Sequence, residues 1–236
     1  MKVEIWSDVV CPWCYVGKRH FEEALSRFNH ADQVQVEWRS FELDPDSPRR
    51  VDMPVTEMLQ RKYGMSKEQA VAANEKMTAL AASVGLEYHL DEAQRGNTFD
   101  AHRLIHLAAS HGLGDAMKER LLAAYFTEGL PVGDVDTLAA LGIEVGLDPD
   151  EVATVLAGDE FGTEVRHDES RARALGANGV PFFVIDETYG ISGAQSPEVL
   201  LGAMEQAWSE THPLTVIGAT SPNADGAACT DDSCAI

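Results

Sequence analysis

Two cysteines separated by two residues, Cys11-Pro12-Trp13-Cys14, stand where an alternating apolar segment gives way to helical spacing. This junction limits what the chain can fold into more than any other feature. Ahead of it, Val3-Glu4-Ile5-Trp6 alternates with the period of a strand and ends at Ser7-Asp8. Behind it, Tyr15, Phe21, Leu25 and Phe28 recur at intervals that share one helical face. Pro12 suits a first helical turn, where its missing N–H costs nothing. Val34, Val36 and Trp38 then alternate with polar residues, so strand, helix and strand predict a right-handed parallel crossover in an α/β sheet.

A Cys-x-x-Cys at a helix N-terminus is a chemical device. Unpaired backbone N–H groups and the helix dipole favour the thiolate, so Cys11 is expected to carry a lowered pKa and to attack first. Cys14, a turn deeper, can reach back and resolve a mixed disulfide. The competing reading is half of a zinc site. No second close cysteine pair follows at zinc-ribbon spacing, and the nearest histidine, His20, lies on the predicted helix. The redox reading is preferred and no metal is expected.

The rest of the sequence bounds the setting. A formal charge of -21 over 236 residues repels nucleic acid and anionic lipid, so neither is expected as a partner. No export signal or spanning segment is apparent, and a cytoplasmic location is expected. In a reducing compartment four cysteines suit catalysis better than a disulfide scaffold.

From about residue 54 to 177 the pattern is helical, and the spacing of glycine and proline breaks predicts roughly five to seven helices. Ser66-x-x-Gln69 reads as a capping box, and Asp148-Pro149 as an N-cap with proline in the first turn. Methionines 53, 58, 65 and 77 read as core filling rather than an adaptable binding surface. His102 and His106 share a helix face, but Arg103 stands where a zinc-protease pattern needs glutamate. Val180-Pro181-Phe182-Phe183-Val184-Ile185 and Ile191-Ser192-Gly193-Ala194 predict a two-strand hairpin, and Ser196-Pro197 opens a last helix to about Trp208. Beyond it, the composition of residues 212–236 predicts a mobile tail carrying a second pair, Cys229 and Cys234.

The Cys11-Pro12-Trp13-Cys14 motif after a strand, the helical stretch, and Gly179-Val180-Pro181-Phe182-Phe183 before a hairpin together resemble the DsbA family. Asp8 to Gly17, Asn97 to His102 and Tyr189 to Gln195 are similar to its cytoplasmic FrnE-type branch. The resemblance implies a thioredoxin fold with a large all-helical insertion. Residues 1–43 and 178–211 would form the thioredoxin-fold domain and 44–177 the insertion. It implies oxidoreduction or isomerisation of protein thiols and disulfides, with the thioredoxin or glutathione system as partner and glutathione as candidate co-substrate. Cys11, Cys14 and Pro181 would hold the catalytic positions, with the Val180–Pro181 bond cis, and Trp13, Val180, Asn97 and His102 would line the substrate groove. Cys229 and Cys234 resemble the extra Cys-x4-Cys of some FrnE-type relatives, and they are expected to relay electrons to or from Cys11 and Cys14, within one chain or across a homodimer. Pro-Trp replaces the Pro-His of strongly oxidising relatives and Asp8 is near in sequence, so a milder potential is expected. Glutathione-dependent isomerases and kappa-class transferases share the fold but typically place serine at the nucleophile, which makes them the second reading.

Overall fold

A computed structural model describes residues 1–213. β1 (Lys2–Ser7) runs parallel to β2 (Gln35–Ser40) in a register that pairs Lys2 with Gln35 and Ser7 with Ser40. β3 (Phe182–Ile185) lies antiparallel on the other side of β1, and β4 (Tyr189–Ser192) closes the order β2-β1-β3-β4. The alternation in β1 is physical: Val3 and Ile5 pack with Phe21, Phe183, Leu200 and Met204 on one face. Trp6 packs with Ala172, Phe182 and Val184 on the other. Glu4 shares that second face and is buried, so its charge must be met. Arg171 clasps it with two hydrogen bonds of 2.5 and 2.6 Å, Arg39 adds two more of 2.8 and 2.5 Å, and Lys2 lies 3.4 Å away. Burial works to raise the Glu4 pKa, but the two guanidiniums hold it below the usual carboxylate range.

α1 (Pro12–Arg27) follows β1 directly and packs against α9 (Pro197–Thr211) beneath the sheet. The hairpin strands differ from the sequence expectation. β3 starts later because Pro181 has no N–H to give; its carbonyl instead accepts from Gly193. β4 starts earlier because the turn is tight: Asp186 and Glu187 take positive φ and Thr188 N–H bonds the Ile185 carbonyl. Ser196 holds the N-cap position of α9, but its hydroxyl makes no capping bond to the helix backbone.

Between β2 and β3 the described chain is helical: α2 (Val55–Tyr63), α3 (Lys67–Ser83), α4 (Phe99–Ser110), α5 (Gly114–Phe126), α6 (Val135–Val145), α7 (Pro149–Ala157) and α8 (Gly162–Ala174). Ser66 and Gln69 form the expected reciprocal capping box, and Asp148 accepts from the N–H groups of Asp150 and Glu151. Leu104, Leu121, Leu122, Leu138, Leu141 and Val152 make a helical core that also takes in Val9, Tyr15 and Val16. α1 thus enters two cores, the helical one with its first turn and the sheet's with Phe21 and Ala24. No helix among the described residues is long and apolar enough to cross a membrane.

Arg103 staples the end of α7 to α4. It is buried and donates to the carbonyls of Val155, Gly158 (2.8 Å) and Glu160 (2.7 Å), and to Asp100 (2.8 Å). Arg103→Met should lower unfolding free energy by roughly 2–4 kcal/mol, because it strands these carbonyls and leaves the Asp100 carboxylate with Arg49 alone. Urea denaturation measures it, and a loss under about 1 kcal/mol would show that the acceptors find other donors.

Candidate active site

Cys11 is the N-cap of α1, with extended backbone; its carbonyl accepts from Cys14 N–H at 3.0 Å and its own N–H bonds the Asp8 carbonyl at 3.3 Å. Pro12 sits in the first turn as expected. The Cys11 thiol donates to the Val180 carbonyl at 3.4 Å, across the cis Val180–Pro181 peptide. Pro181 is buried against α1, where Gly17 makes room: a Cβ on Gly17 would lie 2.8 Å from Pro181 Cγ. Both thiols are shielded, Cys11 at 4% and Cys14 at 1% exposure, but only Cys11 reaches the adjoining groove.

That groove has a volume of about 760 Å³, in the size class of small-molecule sites. Val10, Cys11, Pro12, half-exposed Trp13 and Val180 form one wall, and Phe41, Leu43, Met58, Leu59, Met77 and Phe126 contribute apolar surface opposite or beside it. Met58 and Met77 therefore face the groove, where the sequence suggested core filling; a helix face turned to a cavity has the same periodicity as one turned to a core. Asn97 and His102 do not line it. Asn97 lies behind, donating to Glu42 (3.2 Å) and the Pro45 carbonyl (3.1 Å), while Gly96 and Thr98 form the wall there. His102 is buried against Asp8, 3.3 Å from its carboxylate, and His106 contacts Ser40 and Asp168 instead. Among the described residues no group of three or more His, Cys, Asp or Glu is placed to hold a metal. Cys229 and Cys234 lie outside the described residues.

The electrostatics revise the expectation for Cys11. Its hydrogen bond with the Cys14 thiol, burial, and the nearby Asp8 carboxylate push the Cys11 thiol well above its ordinary range; the Cys14 N–H pulls the other way and does not prevail. Burial also works to raise Asp8, but the bonds from His102 and from Leu43 N–H (2.8 Å) keep it low and charged. Burial pushes His102 down, so it rests neutral. Beneath these lies Lys118 of α5, fully buried and held by burial at a pKa of about 8. Glu42 in the groove wall is raised to about 7 by burial and by Glu169, against the pull of Arg166. Tyr88 donates to the Pro12 carbonyl at 2.8 Å, fixing the turn that carries the motif. Sequence reasoning missed Lys118, Glu42, Tyr88 and Gly17. For Lys118 a signal existed: with Leu121, Leu122 and Tyr125 it falls on the apolar face of its helix.

A four-stranded mixed sheet with a cysteine pair at the head of α1, a cis-proline opposite and a helical excursion between β2 and β3 is a thioredoxin fold of the DsbA type. The model of the DSBA-like thioredoxin domain matches residues 2–205, and the chain belongs to that family of oxidoreductases. The structure resembles the crystal structure of a probable DsbA oxidoreductase from Streptomyces coelicolor, at 48% identity and TM-score 0.86, covering 97% of this chain and 98% of that one. YwbO, an uncharacterised protein of Bacillus subtilis, is 30% identical over 84% of this chain and 92% of its own length. The cytosolic disulfide reductase DsbM of Pseudomonas aeruginosa shares the fold at TM-score 0.61 and 18% identity, covering 89% of this chain and all of that one.

Two outcomes are expected. Gly17→Ala should cost about 1–3 kcal/mol in a urea melt, because the added methyl must displace Pro181; a neutral change would mean that the ring shifts freely. Asp8→Asn removes a carboxylate that disfavours the Cys11 thiolate, so the Cys11 pKa falls and more thiolate exists at any pH below it. Alkylation of Cys11 by iodoacetamide at pH 8 should then quicken roughly 3- to 10-fold, and an unchanged or slower rate would refute the coupling.

Proposed function

We propose that the chain exchanges thiols and disulfides on protein substrates through Cys11-Pro12-Trp13-Cys14. The observation that carries this is the placing of Cys11 Sγ at the edge of an apolar groove, at a helix N-terminus and within hydrogen-bonding distance of the Val180 carbonyl. Cys11, once deprotonated, attacks a substrate sulfur presented on an extended or unfolded segment able to enter the groove; Trp13 at the lip and Val180 in the wall orient that segment. Cys14 then attacks Cys11 Sγ, closing the enzyme disulfide and releasing the substrate thiol. Reduction by the thioredoxin or glutathione system, with glutathione as co-substrate, returns the dithiol.

The direction follows from the sulfur's surroundings. A strong oxidant needs a stabilised thiolate in its reduced form. Here the hydrogen bond with Cys14, burial and, least, Asp8 disfavour that thiolate, which supports a mild potential and work as a reductase or isomerase in the cytoplasm. Cys229 and Cys234 are proposed to relay electrons between the partner system and the active pair, on the strength of their spacing.

The test is equilibration in glutathione redox buffers, acid quenching, alkylation and mass spectrometry of each pair. Cys11 and Cys14 should titrate together nearer roughly -270 than -120 mV. Cys11→Ser should abolish turnover, and Cys14→Ser should accumulate a mixed disulfide on Cys11. A pair that never closes and instead retains glutathione on Cys11 would transfer the assignment to glutathione-dependent isomerisation. The relay is lost if Cys229→Ser/Cys234→Ser leaves turnover with every reductant unchanged.

A further inference from the structure

Arg95 stands in the wall of the groove that Cys11 adjoins, and among the described residues no carboxylate meets it. Its guanidinium makes a single polar contact there, with Met53 Sδ at 3.9 Å. On a chain with 39 acidic residues against 18 basic ones carboxylates are plentiful, and Arg49 and Arg103 both hold Asp100. Lys62, exposed at the groove with the Tyr63 ring 5.9 Å away, is a second lining cation outside any ion pair among the described residues. The acidic groups of the same walls are otherwise engaged, Asp8 by His102 and Leu43 N–H, Glu42 by Arg166 and Asn97; only Asp44, which is exposed, is left over.

Two hydroxyls line the groove with nothing to bond. Tyr125 is 4% exposed and Thr98 3%, and neither hydroxyl has a hydrogen-bond partner among the described residues; Thr98 holds the N-cap position of α4 without capping it. Ser7 Oγ is the one fully enclosed side-chain oxygen left without a partner among those residues, so the Tyr125 and Thr98 hydroxyls open on the groove. Burial pushes the Tyr125 phenol up while Arg95 pulls it down, so the two lie within electrostatic reach; burial prevails and the phenol stays protonated, a donor. Arginine carries five N–H donors and no acceptor, and a carboxylate is acceptor-only, so a carboxylate answers this wall better than a neutral amide does.

We propose that Arg95 is a specificity-determining residue that, with the Tyr125 and Thr98 hydroxyls, takes a carboxylate side chain of the substrate polypeptide. The protein then exchanges preferentially with cysteines that have aspartate or glutamate within a few residues. This rests on the thiol–disulfide reading above. The preference runs against the formal charge of -21, which repels acidic partners, so it can arise only from groups local to the groove. Met58, Leu59 and Met77 offer apolar surface to the rest of the segment.

The experiment uses the reduced full-length protein and short single-cysteine peptides, each made as its mixed disulfide with 2-nitro-5-thiobenzoate. One glutamate is moved through successive positions on either side of the cysteine, and every peptide has a glutamine twin. Cys11 attacks the peptide sulfur and displaces the chromophore as a thiolate, which stopped-flow absorbance follows. Each rate constant is divided by that of the same peptide with dithiothreitol, which removes the effect of glutamate on its own disulfide. At one position or more the glutamate-to-glutamine ratio should reach about fivefold, and Arg95→Gln should bring it to about 1. Arg95→Lys should keep part of the preference, and Tyr125→Phe should lower it roughly twofold. Ratios near unity at every position, or a preference that survives in Arg95→Gln, overturn the proposal. So does a wild-type ratio that does not fall between about 0.05 and 0.5 M NaCl, a readout that needs no variant to fold. The glutathione mixed disulfide tests the other source of a carboxylate: if Arg95→Gln slows that substrate and leaves the peptide ratios intact, the proposal is overturned. No release from the wild type with any peptide would instead overturn the exchange reading itself.

Discussion

Everything at this site depends on α1 being packed from both ends of its length into different cores. Its first turn, with Tyr15 and Val16, is buried in the helical core, and its later turns, with Phe21 and Ala24, are buried against the sheet. A helix so held cannot rotate or slide without opening one core, which at about 25 cal/mol per Å² of apolar surface is prohibitive for a domain of marginal stability. The sulfur at its N-cap is therefore fixed relative to the Val180 carbonyl and the groove. Tyr88, stacked on Phe126 at 4.5 Å and bonded to Pro12, adds a brace from the helical side.

That fixed position sets two electrostatic effects against each other. The end of a helix stabilises an anion by about 0.3–1 kcal/mol, rising to about 2 kcal/mol in favourable buried geometry. One pKa unit is 1.36 kcal/mol, and burial of a thiol can outweigh the dipole by several such units. In the dithiol the neighbouring Cys14 thiol, burial and Asp8 together outweigh the helix end, and the Cys11 thiol stands well above its ordinary range.

Local order was legible wherever it is written in neighbouring residues. The period-two runs placed β1 and β2, proline and capping side chains placed the starts of α1, α3 and α7, and the motif spacing placed Cys11 at a helix end. The cis peptide before Phe182 was anticipated from resemblance, not from any local rule. What stayed hidden depends on packing across long sequence distances. Sign and size of the Cys11 shift require knowing how deeply α4 and α5 close over the motif. The placing of Asn97 and His102 behind the groove requires the path of the chain from Pro45 to Thr98.

The groove shows why such distances matter. α2 buries none of its residues, yet Val55, Met58 and Leu59 line the space beside Cys11. On sequence alone an amphipathic helix promises a core partner, because apolar periodicity records only which side faces away from water. Here that side faces a cavity bounded by the cysteine wall. The apolar surface that would have closed a core instead lines the groove, and the stability of the helical region comes mainly from the core built by the later helices.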